Sequence, residues 1–124
     1  MERKTLERLE SIVGKGNLSV GVRAADKFMR PGEEAPHLVV VRPSEDGEVQ
    51  KVVELARGAR IAIVTVNDRY LLEEDLGKEG ILLDFSRMDE IERIDVPNLV
   101  AHVQRGVTWV SALINVLFRL WIDL

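Results

Sequence analysis

The chain has 124 residues, 46% of them hydrophobic and 31% charged, with a formal net charge of -4. That is the composition of one soluble globular domain around one core, and its acidic balance excludes a surface built to neutralise nucleic-acid phosphates. The absence of cysteine excludes disulfides, thiolate nucleophiles and cysteine-ligated metals.

No apolar run reaches the roughly 18 residues that cross a bilayer. Met1-Glu2-Arg3-Lys4 opens a charged amphipathic stretch where a signal peptide would carry an apolar one, so a cytoplasmic chain is expected. Leu6, Leu9, Ile12 and Val13 recur at helical spacing, which predicts a helix over 2–13 stopped by Gly14 and Gly16. Residues 14–36 lack sustained periodicity and read as a loop with one short strand at Leu18–Val22. Leu38-Val39-Val40-Val41, closed by Arg42-Pro43, predicts a strand buried on both faces.

Ser44 then reads as an N-cap, with Glu45, Asp46 and Glu48 placed where the helix dipole favours acids. Val49, Val52, Val53 and Ala56 form the apolar face of this helix, and Gly58 is the expected stop. Residues 61–66 form a second buried strand. Strand, helix and strand within about thirty residues predict a βαβ unit. A polar, acidic stretch over 67–79 leads to a third strand at 81–85. Residues 91–95 and 99–103 flank Val96-Pro97-Asn98 as a hairpin, and a final helix follows from Trp109. The expected fold is α/β (α+β): one small mixed sheet with flanking helices, without a linker over residues 1–124.

Three stretches carry a resemblance. They are Ala35–Ser44 continuing through Glu48–Val53, Gly80-Ile81-Leu82-Leu83-Asp84-Phe85-Ser86-Arg87-Met88, and Leu99–Trp109 with its Gly106-Val107-Thr108. Together, and in this order, they resemble the FAD-linked oxidases of the vanillyl-alcohol oxidase or PCMH type, among them glycolate oxidase and D-lactate dehydrogenase. The likeness covers the first subdomain of the FAD-binding domain and the first strands of the second, so residues 1–124 would be one truncated domain. It implies FAD as the cofactor. It also implies at most a component of an FAD-dependent 2-hydroxy-acid oxidoreductase, since the family's substrate-binding residues lie largely in parts beyond this match. No catalytic residue is implied here.

The resemblance places Val66, Asn67, Asp68, Arg69, Tyr70, Gly106, Val107 and Thr108 at cofactor-binding positions. The family carries a loop of the type Arg-Gly-Gly-Gly-Thr between its second and third strands. Glycines let the backbone approach a pyrophosphate and aim N–H groups at it. Val66–Tyr70 contains no glycine, and Glu73-Glu74-Asp75 follows, which repels a pyrophosphate. Tight FAD binding by this chain alone is therefore not expected. Gly106 has two readings, a backbone contact to flavin or a strand-to-helix turn with Thr108 as N-cap. Asp84 and Ser86 read as a turn held by local side-chain hydrogen bonds.

Other chemistry is thin. His37 and His102 sit in different strands, with no acid at metal-ligand spacing, so no metal site is expected. Ser111 lies in no nucleophile elbow, and Gly14-Lys15-Gly16 lacks the rest of a phosphate loop. Residues 109–124 are apolar nearly all round, with only Arg119 and Asp123 charged. Such a segment is a helix deep in a core, a disordered chain end or an interface. The interface reading makes the chain a homo-oligomer or the partner of another subunit.

Overall fold

The computed structural model describes residues 1–21, 23–33, 37–66, 70–71, 79–98 and 100–123, with side chains given for all of these except 109–111 and 120–123. They fall into two compact units, Met1–Asp84 and Phe85–Leu124.

The first unit begins with α1 (Arg3–Val13), which buries Leu9 and Val13. The N–H of Gly14 closes its last turn on the Glu10 carbonyl at 2.8 Å. β1 is only Leu18–Ser19, shorter than the Leu18–Val22 expected, because it pairs with two residues of the next strand and Val20 is already 57% exposed. A 3-10 turn at Asp26–Phe28 follows, burying Phe28. β2 (Leu38–Val41) is buried at every position, as its run of branched residues requires.

α2 (Asp46–Ala59) buries Val52 and Ala56. Both of its expected ends are corrected. The N-cap is Glu45, in extended conformation with no side-chain cap bond. Ser44 stands one residue earlier, and its N–H and hydroxyl both donate to Glu48 Oε2, at 3.0 and 2.8 Å. The carboxylate reaches back to the chain before the helix, as in half of a capping box. At the other end Gly58 stays helical. The terminator is Arg60, left-handed at φ 56 and ψ 44, whose N–H returns to the Ala56 and Arg57 carbonyls.

β3 (Ile63–Thr65) and β4 (Gly80–Leu83) complete a four-stranded sheet of order β1-β2-β4-β3. β1 runs antiparallel and the other three are parallel, with Val40 beside Leu82 and Leu82 beside Val64. The βαβ unit is present as β2-α2-β3, but β4 lies between its two strands. One face of the sheet presents Leu38, Val40, Val64 and Leu82, packed with Ala25, Phe28 and Leu71. By alternation the other face presents Val39, Val41, Ile81 and Leu83, also buried. Gly80 sits at φ +145, and a Cβ there would run into the Ala62 carbonyl oxygen, which accepts the Ile81 N–H at 2.9 Å. The parallel ladder can begin this tightly only with glycine.

The second unit holds β5 (Ile91–Asp95), β6 (Val100–Val103) and α3 (Trp109–Asp123). β5 and β6 pair antiparallel, with an irregularity between Ile91 and Arg93. Their turn is tied by Asp95, whose carboxylate accepts the Asn98 side-chain amide at 2.9 Å and its backbone N–H at 3.3 Å. α3 packs against both strands. Among the described residues, no helix is long and apolar enough to cross a membrane.

Candidate cofactor site

The expected cofactor positions divide between the two units. In the first, Val66 leaves β3 half-buried and packs on the core cluster of Val40, Val64 and Leu82. Asn67, Asp68 and Arg69 lie outside the described residues, as do Glu73, Glu74 and Asp75. Tyr70 is half-buried, with the Arg30 guanidinium 5.1 Å from its ring centroid. The next residue, Leu71, is only 1% exposed. Its N–H donates to the Phe28 carbonyl at 2.9 Å, and its carbonyl accepts from Arg30 at 3.4 Å.

Asp84 directly follows β4, where the sequence suggests a turn with local hydrogen bonds. Its backbone N–H does continue the sheet, donating to Val41 at 2.9 Å. The carboxylate, however, is buried and faces a cation from far earlier in the chain: Lys27 Nζ lies 3.0 Å from Asp84 Oδ2. Lys27 carries no signal of this in the sequence. An aspartate ending an otherwise apolar strand is the one available sign that a cation is needed there. Ser86 is exposed.

In the second unit, the N–H of Gly106 donates to the Met88 carbonyl at 2.7 Å and that of Val107 to the Gln104 carbonyl at 3.2 Å. The Thr108 carbonyl accepts the Ala112 N–H at 3.0 Å, inside the first turn of α3. A Cβ at Gly106 would strike the Phe85 carbonyl oxygen and come within 2.8 Å of that of Met88. Close backbone approach thus accounts for this glycine. Arg105 lies over the Phe85 ring, 5.5 Å from its centroid, on the same turn.

A pyrophosphate calls for backbone N–H groups free to converge on it. Among the described residues, the N–H groups of Leu71, Gly106 and Val107 are all donated to carbonyls of this chain. Lys27 faces Asp84 and Arg30 faces Tyr70 and Leu71. None of these three N–H groups is left to point at a pyrophosphate, and residues 67–69 of the expected loop lie outside the described residues. Among the described residues no group of three or more histidines, cysteines and acids could hold a metal ion.

The two histidines are separate. His37 is exposed and lines an open cavity of about 920 Å³ at the N-terminal ends of the parallel strands, with Arg60, Ala62, Glu79 and Gly80. His102 is exposed on the hairpin, its Nε2 2.8 Å from the Arg93 guanidinium.

A mixed sheet of this order with two α-helices, followed by a hairpin and a third, matches the PCMH-like FAD-binding fold. The sequence matches the FAD binding domain family over residues 37–115, and the chain belongs to that family. Among solved structures, it is similar to p-cresol methylhydroxylase with substrate bound, at 22% identity and a TM-score of 0.75, covering 94% of this chain and 24% of that one. It is also similar to 4-ethylphenol oxidase from Gulosibacter chungangensis, at 18% identity and a TM-score of 0.74, covering 94% and 24%. The glucose dehydrogenase Phl p 4.0202 is similar at 13% identity and a TM-score of 0.74, covering 94% and 27%. The chain therefore spans about a quarter of the length of these proteins. No curated protein matches the sequence.

Proposed function

We propose that this chain supplies the first part of an FAD-binding domain in a flavoprotein of the glycolate oxidase and D-lactate dehydrogenase type, and that it is inactive alone. On this reading residues 1–124 act as one truncated domain in a cytoplasmic 2-hydroxy-acid oxidoreductase. FAD would be held jointly with a partner surface, Val66–Tyr70 and Gly106–Thr108 being the positions that the family resemblance assigns to the cofactor. The observation that carries the reading is the family match over residues 37–115, and the three sequence stretches described above support the subtype. The partner is supported by α3, where Leu113, Ile114, Leu117 and Phe118 are each between 56% and 60% exposed.

A second reading rests on a different observation. The glycine-free Val66–Tyr70 segment and the donated N–H groups of Leu71, Gly106 and Val107 favour a cofactor-free domain that associates through α3. One measurement separates the two. The purified chain is scanned for flavin absorbance, then again after incubation with FAD and gel filtration. A retained flavin band supports the first reading. A colourless protein that elutes larger than a monomer supports the second, and a colourless monomer excludes self-association and leaves each reading only with a different polypeptide as the partner.

A further inference from the structure

The segment that precedes the family match has a task of its own. Residues 26–33 form two consecutive turns. In the first, the Phe28 N–H donates to Ala25 and the Met29 N–H to Asp26, at 3.0 and 3.1 Å. In the second, the Arg30 N–H donates to Glu33 Oε1 at 2.8 Å and the Glu33 N–H returns to the Arg30 carbonyl at 3.1 Å. The segment is anchored by Phe28, 8% exposed, in the core shared with Val40, Val64 and Leu82.

From this platform three contacts reach the end of the stretch that follows β3. The Phe28 carbonyl accepts the Leu71 N–H at 2.9 Å, the Arg30 guanidinium donates to the Leu71 carbonyl at 3.4 Å, and the same guanidinium covers the Tyr70 ring. Both backbone groups of Leu71 are thus held by residues more than a strand away, and its side chain is sealed in the core. Leu71 makes none of these bonds to β2, β3 or β4.

We infer that residues 26–33 are a clamp on Tyr70–Leu71, with Arg30 the positioning residue that holds the C-terminal end of the segment where the family carries its cofactor loop. The clamp belongs to the lead-in, which lies outside residues 37–115. It stands whether or not flavin is bound. Arg30 suits this role because its planar fork can stack on a ring and donate sideways at once.

The test is amide hydrogen exchange followed residue by residue in the full chain. In Arg30→Ala, exchange at Leu71 accelerates about tenfold, while Val40 and Leu82 in the sheet stay unchanged. Arg30→Lys keeps a cation over the ring and restores most of the protection. Tyr70→Ala gives the same local acceleration by removing the other half of the stack, and it serves as the independent variant should Arg30→Ala fold poorly. Unchanged exchange at Leu71 in both variants overturns the clamp. So does a uniform rise at Leu71, Val40 and Leu82 in both, because Leu71 would then open only with the whole core.

Discussion

Lys27 Nζ lies 3.0 Å from Asp84 Oδ2, joining the turn before β2 to the residue that follows β4. The two side chains are unequal, with Lys27 58% exposed and Asp84 6%. The carboxylate bears most of the desolvation, so removing the lysine leaves a buried charge with a lost cation. Lys27→Met is expected to lower stability by about 2 kcal/mol, less than a fully buried pair loses because the ammonium is half in water. In an Asp84→Asn background the same substitution should cost little. Denaturant titration of the four proteins checks this, and equal losses in both backgrounds would show that the pair is not coupled.

Gly106 and Gly58 should respond oppositely to alanine. At Gly106 the added Cβ meets the Phe85 and Met88 carbonyl oxygens, which are fixed backbone atoms that cannot give way like a side chain. Gly106→Ala is expected to cost about 3 kcal/mol. Gly58 lies inside α2, and a Cβ added there would have nothing within 4 Å, so Gly58→Ala should stabilise by roughly 0.5–1 kcal/mol. Thermal unfolding of the two variants reads both signs. A harmless Gly106→Ala would mean that the tight turn is not obligatory, and would return this glycine to a cofactor role.

Local elements were legible in the sequence because local patterns encode them. The branched run Leu38–Val41 is β2 to the residue, α1 differs by one residue at its start, and the hairpin about Pro97 formed as expected. The misjudged details are those where competing local partners decide. Ser44 gave up the cap because Glu48 reached back to it, and Arg60 ended α2 because Gly58 had no need to leave the helix. Non-local relationships left no periodic trace. The entry of β4 between β2 and β3, the ion pair of Asp84 and the hold of Arg30 on Tyr70 are set by tertiary packing. For the candidate site, the sequence revealed the missing glycines, but not that Gly106 and Val107 donate their N–H groups within their own unit.

Acid should loosen the hairpin turn. The Asn98 side-chain amide on Asp95, helped by the Asn98 backbone N–H, holds this carboxyl below the ordinary aspartate value, and Arg93 adds a smaller favourable field. A depressed folded-state value stabilises the fold above the unfolded value, and that contribution disappears as pH falls through the folded one. Asp95 should therefore titrate lower than an unstructured aspartate when followed by carboxyl NMR. Asn98→Ala should move its midpoint upward, and an unmoved midpoint would remove Asn98 as the cause.

His102 should be held in one tautomer. Its Nε2 lies 2.8 Å from Arg93 Nη2, and a guanidinium can only donate, so Nε2 must accept and the ring proton must sit on Nδ1. This is a cross-strand pair within the β5–β6 hairpin. Nitrogen NMR of the imidazole at neutral pH should give an acceptor-type Nε2, and Arg93→Ala should release the preference. A protonated Nε2 in the parent chain at that pH would contradict the assignment.

The exposed side of α3 provides the last test. Leu113 and Leu117 are one helical turn apart and 59% and 56% exposed, beside Ile114 and Phe118 at 60% and 59%. Side chains of this kind, exposed on a helix that packs against β5 and β6, lose water contact only when another surface covers them. Leu113→Gln with Leu117→Glu replaces them by good helix formers and leaves the packing of α3 on β5 and β6 to other residues. The parent chain is expected to associate in a concentration-dependent way during sedimentation. The double variant should associate at least about tenfold more weakly, with an unchanged melting temperature at low concentration. If the parent sediments as a monomer at every concentration, self-association through α3 is excluded and only a different polypeptide can be its partner. If instead the variant melts earlier at low concentration, these leucines support the fold of the unit itself, and the apolar face is no interface.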